Sequence, residues 1–389
     1  MVACGCDDQR WRRTLRRRQL LAALGGGALV LGQRATGRAQ EATPLAGELI
    51  RISQPALGAL ANGSYISPMV ELYGDVDFGA GCFVASNTIF EAISEHHITV
   101  GNHNNCQDNA YLIAQEADLI FGDRVSVAHQ AALWNSEIGD FTFFGFRSRV
   151  HDSVIGEGSM IMHNTTVIGV TIPPNRITPM GVIIDSQEIA DALPELVEAN
   201  VEFKEDVQGV NEEFASGYSQ LLAEYGLEAV TDIGPNPITS WNPDMVEPTL
   251  GDGVQLAELV RVVGDVRLGE RSRVGQRSAI RADEGTPIEI GRNARLGARV
   301  TFHALLGTSI TVGDNASIGD ECVLHGPLTV GNNLTVEAGS VLFRATVEDN
   351  VTLRRGCTVA AEVVLREGTI VPEGVVVDSQ EVADSLPTR

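Results

Sequence analysis

The sequence predicts an all-β solenoid: two left-handed parallel β-helix domains in tandem, the first closed by a C-terminal α-helical tail. Three observations lead there. Hexads recur through the chain, as in VGDNAS-IGDECV (312–323), VGNNLT-VEAGSV (330–341), VEDNVT-LRRGCT (347–358) and LGERSR-VGQRSA (268–279). A long segment then repeats itself: GVIIDSQEIADALPE from Gly181 returns as GVVVDSQEVADSLPT from Gly374, and FGDRVSVAHQAAL from Phe121 returns as VGDNASIGDECVL from Val312. Finally, 43% of residues are hydrophobic but only 5% aromatic, with 41 Gly against 15 Pro. A core of that kind is filled by Val, Ile, Leu and Ala and interrupted by many tight turns, which suits stacked β-structure.

The hexads dictate the local geometry. Each begins with an aliphatic residue, often followed by Gly, and carries a small residue at its fifth position. Three hexads make one triangular coil, with the aliphatic residue pointing inward on each face. Short strands stack in parallel from coil to coil, each burying its face against the next.

The first 39 residues read as a targeting segment. Arg16-Arg17-Arg18 precedes the 13-residue apolar stretch LLAALGGGALVLG (20–32), and small residues follow near Ala39. Paired Arg before a mildly apolar, Gly-rich stretch reads as a twin-arginine-type signal, so a periplasmic or extracellular location is expected. Thirteen residues are too few to span a bilayer. No membrane association is expected after cleavage.

Residues 48–226 form the first β-helix with its tail, 227–248 a Pro-rich linker, and 249–389 the second β-helix. The tail, 186–226, has helical apolar spacing. Four Cys beyond the signal (Cys82, Cys106, Cys322, Cys357) form no CxxC pair and read as small core residues.

The net charge is −23. Eight of the Arg lie in the signal, so the remainder is more acidic still. Such a surface repels nucleic acid and anionic lipid, and neither is expected as a partner.

Longer strings are more specific than the hexads. The first half carries ITVGNHNNCQDNA (98–110), VSVAHQAAL (125–133) and VIGVTIPPNRITPMGVIIDSQEIADALPE (167–195). The second carries NPITSWNP (236–243), AIRADEGTPIEIG (279–291), FHALLG (302–307) and LHGP (324–327). With these strings each half resembles a gamma-class carbonic anhydrase subunit. That resemblance implies a metal held by three His, two from one subunit and one from its neighbour across an interface.

Neither half holds all three. The first has Ile113, His129 and Trp134 at the ligand positions, and the second has His303, Asp320 and His325. The losses are complementary: His303 and His325 are the pair one subunit supplies, and His129 is the ligand its neighbour supplies. Asn105, Gln107 and Asp108 survive only in the first half, where the second has Arg295, Gly297 and Ala298. Arg281, Asp283 and Glu284 survive only in the second. One composite site between unlike domains explains this division.

The resemblance implies a role for each residue. His129, His303 and His325 bind Zn²⁺, with Fe²⁺ or Co²⁺ also suited to three imidazoles. Glu284 relays the proton released when water adds to CO₂. Gln107 orients the reacting oxygen, and Arg281 pairs with an acid across the interface, Asp108 first. Asn211 in the tail falls on a family position near the site, with Asn105 and Asp283 in support. CO₂ and bicarbonate are the implied substrate and product. A homo-oligomer, or a pair of domains standing in for one, is the implied assembly.

The other His (96, 97, 103, 151, 163) read as surface or core residues. A symmetric ring of stacked chains would instead set Asp320 beside His303 and His325. Competing functions are an inactive scaffold or bicarbonate-binding protein, and a hexapeptide acyltransferase, which needs a long catalytic loop that is missing here.

Overall fold

The computed structural model describes residues 50–51 and 57–389. The proposed signal segment lies outside the described residues. The fold is a mostly parallel β-solenoid with a long helix midway along the chain, between its two runs of strands.

The first stack lies between Ile50 and Ile184 and has three seven-stranded sheets, one per face of the coil. Away from the sheet ends, neighbours within a sheet are three strands apart in sequence. Glu137 pairs with Val154 and Ile138 with Ile155, one coil of 17 residues. Leu119 pairs with Ile98 one coil earlier, over a longer turn. The coil is therefore close to three hexads, and aliphatic side chains such as Ile98, Leu112, Val127, Leu133, Val150 and Ile161 fill it. Burial of each such side chain contributes about 1.5–3 kcal/mol.

The second stack begins earlier than the sequence suggests. Ile233–Gly234, inside the stretch read as a linker, pairs in parallel with Arg261–Gly264, and a short helix, Leu227–Val230, precedes it. The stack has one seven-stranded sheet and one twelve-stranded sheet. The larger sheet arises where strands such as Val323–Val330 and Val341–Val347 bridge two faces, with register shifts between His325 and Leu328 and between Phe343 and Ala345.

The tail is two helices rather than one. Gln187–Asp191 starts on Ser186, whose side chain accepts the Ile189 N–H, and ends before Pro194. The long helix then runs over Glu198–Tyr225. A second Ser-capped turn, Gln380–Asp384, closes the other stack. Cys82, Cys106, Cys322 and Cys357 are free thiols, all buried. Among the described residues no helix is long and apolar enough to cross a membrane.

The two stacks meet along a column of corners. Asn87, Asn109, Gln130, Arg147 and Asn164 occupy equivalent turns of successive coils, all with left-handed backbone. Each reaches across. Asn87 Nδ2 donates to Leu259 O (3.0 Å), Asn109 Nδ2 to Thr301 Oγ1 (3.5 Å) and Gln130 Nε2 to Arg299 O (2.7 Å). Arg147 Nη1 donates to Glu321 O (2.7 Å) and Asn164 Nδ2 to Thr358 Oγ1 (2.7 Å).

Candidate metal centre

The residue preceding each of these corner residues forms a second column: Ser86, Asp108, His129, Phe146 and His163. The facing column belongs to the second stack, where parallel register aligns Val263, Arg281, His303, His325 and Phe343 on adjacent strands. Strands in register lie about 4.8 Å apart. Two His at this spacing are held side by side by the backbone itself.

The columns meet coil by coil. Arg281 Nε lies 3.1 Å from Asp108 Oδ2, and both residues are buried. One coil on, His129 Nε2 is 3.4 Å from His303 Nδ1, which is 3.3 Å from His325 Nε2. The three ligand atoms lie within 4.8 Å of one another, on residues at most 3% exposed. Beyond them Phe146 stacks on His325 (centroids 4.8 Å) and on His163 (4.5 Å).

The outer nitrogens bear on where the protons of this cluster sit. His129 Nδ1 faces Asp108 Oδ2 at 3.3 Å, His303 Nε2 faces Asp283 Oδ1 at 3.1 Å, and His325 Nδ1 faces the Gly326 carbonyl at 3.1 Å. The nearest partner of each is an acceptor, with Arg281 Nη2 farther from His303 Nε2 at 3.5 Å. A neutral imidazole carries one proton, and these acceptors favour its placement on the outer nitrogen. Three lone pairs then converge with no proton between them, an arrangement that a cation resolves. Burial lowers His129 to about 4 and His325 well below the ordinary histidine range, which keeps both neutral. Nitrogens bound about 2.0–2.1 Å from a tetrahedral metal lie roughly 3.3 Å apart. The two separations that involve His303 fit that edge, so His129, His303 and His325 suit a metal.

The surrounding residues fix the donors. Burial pushes the Asp108 carboxyl up, but Arg281 and His129 more than offset this and hold it below the ordinary range. The same balance, with Arg281 and His303 as partners, holds Asp283 well down. Asp283 also accepts the Tyr218 hydroxyl, while its backbone carbonyl accepts Trp241 Nε1 and Asn242 Nδ2.

Gln107 Oε1 accepts Arg281 Nη2 at 2.9 Å, and its Nε2 donates to Asn211 Oδ1 at 2.6 Å. Asn105 Nδ2 donates to Ser126 Oγ at 2.8 Å. Glu284 Oε2 is 3.7 Å from His303 Nε2, and its Oε1 accepts the Leu306 N–H. Burial raises the Glu284 carboxyl.

The structure thus gathers all ten residues singled out from the sequence. Asp320 is elsewhere, where it accepts the Ala298 N–H. Ile113 pairs in register with Trp134, which stacks on His151 at 4.1 Å.

Three residues were not singled out as part of the site. Phe146 and His163 follow His129 at successive 17-residue steps, so the coil length carried the signal. Tyr218 lies seven residues after Asn211 on the long helix, two turns along one face. A cavity of about 930 Å³ opens beside the cluster, lined by the three His, Gln107, Glu284 and Phe146 among others.

The model of a hexapeptide repeat of succinyl-transferase matches residues 287–319 and 309–344. A carboxysome assembly protein of Nostoc sp. is 29% identical over 167 residues, covering 40% of this chain and 30% of its own length. A carbonic anhydrase of Methanosarcina thermophila is 30% identical over 190 residues, covering 43% of this chain and 77% of its own length. Among solved structures, a hexapeptide transferase family protein from Anaplasma phagocytophilum is 26% identical, covering 32% of this chain and 73% of its own, with a TM-score of 0.30. By its match to the Methanosarcina carbonic anhydrase, the chain belongs to the hexapeptide-repeat left-handed β-helix family related to gamma-class carbonic anhydrase.

Proposed function

We propose that the chain is a metal-dependent carbonic anhydrase, hydrating CO₂ reversibly to bicarbonate. In this reading the two stacks are tandem left-handed copies that share one composite site. The observation that carries it is the convergence of three buried imidazole nitrogens, one from the first stack and two from the second. A bound Zn²⁺, or Fe²⁺ or Co²⁺ in its place, would lower the pKa of a water to about 7 and so supply a nucleophile at neutral pH.

The protein supplies the rest. Asp108, Asp283 and the Gly326 carbonyl hold the three rings in their tautomers. Arg281 occupies Gln107 Oε1, which turns the amide so that Nε2 is the donor; one of its hydrogens goes to Asn211 and the other is left for a substrate oxygen. Glu284 lines the cavity with a raised pKa, as a carboxylate passing protons to solvent requires.

Metal analysis of anaerobically prepared protein, paired with stopped-flow CO₂ hydration, tests the reading. His129→Ala and His303→Ala should each remove metal and activity together. If the parent chain never holds metal or hydrates CO₂, it is an inactive scaffold instead.

A further inference from the structure

The cavity is larger than CO₂ needs. At about 930 Å³ it lies in the range of roughly 300–1,000 Å³ that holds cofactors and drug-sized ligands. Beyond the His cluster its wall is apolar, with Phe143, Met160, Met162 and Phe203 around Phe146 and Phe343. Two further polar side chains line the cavity. His163 is 5% exposed, and its Nδ1 accepts the Phe146 N–H at 3.0 Å. Its proton is therefore on Nε2, and that N–H has no acceptor among the described residues. Arg344 also lines the cavity, with its guanidinium carbon 4.9 Å from the centre of the Phe343 ring and no carboxylate partner among the described residues.

The backbone at Arg344 is unusual. Its φ is 55°, and it sits at the register shift between Phe343 and Ala345. The other non-glycine residues with positive φ lie in turns and bends; Arg344 alone among the described residues lies within a strand. Bulges of this kind re-aim a side chain, at a cost of about 1–3 kcal/mol of local strain.

We infer that this cavity binds an organic carboxylate with an aromatic or compact apolar body. The head group accepts from Arg344 and His163 Nε2, and the body rests on Phe146, Phe343 and the Met160–Met162 wall. An Arg fork and one N–H donor match the in-plane lone pairs of a carboxylate. Glu205 and Asp206 also line the cavity, but both are exposed, where water and salt screen their repulsion. The inference rests on the cavity and not on the hydration chemistry, so either can fail alone.

Calorimetric titration of the full chain, stripped of metal, with benzoate tests it; benzyl alcohol and bicarbonate are titrated alongside. Benzoate should bind with one site per chain, and benzyl alcohol and bicarbonate each at least tenfold more weakly. Arg344→Gly, which suits the left-handed backbone and should fold, should weaken benzoate at least tenfold. His163→Phe, which keeps the stack on Phe146, should weaken it severalfold. The inference is overturned if benzoate binding is indifferent to Arg344→Gly, or if it appears only once metal is restored to the protein. It is equally overturned if benzoate does not bind, or if bicarbonate binds as tightly, since the apolar wall would then have no role.

Discussion

Arg281 keeps its charge at 2% exposure because Asp108 approaches it from the other stack and Asp283 from its own. Breaking a buried pair strands the remaining charge at a cost of about 3–5 kcal/mol, whereas an exposed pair contributes about 0.2–1 kcal/mol. Arg281→Met should therefore lower the unfolding free energy by several kcal/mol. A double-mutant cycle with Asp108→Asn in urea should show coupling above about 1 kcal/mol; additive effects would refute the pairing. The pair also sets an acid limit. The folded-state pKa of Asp108 is depressed, so its contribution is present above its unfolded value of about 3.9 and is lost as pH falls through the folded value. His163 acts at higher pH. Burial, reinforced by Arg344, lowers it to about 4, against about 6.5 when unfolded. Between those values the unfolded chain binds the extra proton, so stability is full above about 6.5 and declines as pH falls towards 4. In metal-free protein, His163→Phe should flatten part of the loss seen on going from about pH 7 to about pH 5, and an unchanged slope would contradict this. The strings HALLG and LHGP exposed His303 and His325 in the sequence. His163 was hidden because its motif is only a position in the coil.

The helix Glu198–Tyr225 joins these residues into one unit. Lys204 Nζ donates to the carbonyls of Phe141 and Gly158, and Gln208 Nε2 donates to Arg124 O and Ser126 Oγ, all in the first stack. Further along, Tyr218 donates to Asp283 of the second stack. One helix thus spans both stacks, with Phe214 packed against Phe83 and Trp241 between the two contacts. Phe214→Ala should cost about 3–5 kcal/mol, read from the urea midpoint. Tyr218→Phe is subtler. It frees Asp283 to rotate and loosens its hold on the His303 proton, so metal affinity should fall roughly 10–100-fold. Competition against a coloured chelator measures this, and unaltered affinity would show that Asp283 is held well enough without the hydroxyl. The helical period of this segment was legible in its apolar spacing. The break at Pro194 and the strand Ile233–Gly234 were less so. A two-residue strand has no periodicity to read, and it forms because Arg261–Gly264 offers a free edge.

At the scale of the whole molecule, the pairing of unlike stacks decides the metal stoichiometry. The division of surviving residues between the halves pointed to one shared site, and the structure brings His129 to His303 across the boundary. What the sequence could not show was which faces of the two coils meet, because hexad spacing is the same on all three. A reciprocal centre would need Ile113 and Trp134 from the first stack with Asp320 from the second. An aliphatic side chain has no lone pair to give, and an indole N–H only donates. Trp134 is moreover stacked on His151, and Asp320 is committed to the Ala298 N–H. One carboxylate cannot hold a transition metal there. Protein saturated with Zn²⁺ and freed of excess should therefore retain one ion per chain by mass spectrometry under native conditions. Asp320→Ala should leave that value at one, since the residue supports a turn and touches none of the three imidazoles. His325→Ala should bring it to zero. Two ions per chain, or loss of metal on Asp320→Ala, would mean that a ring of like domains forms the site and that His129 serves some other purpose.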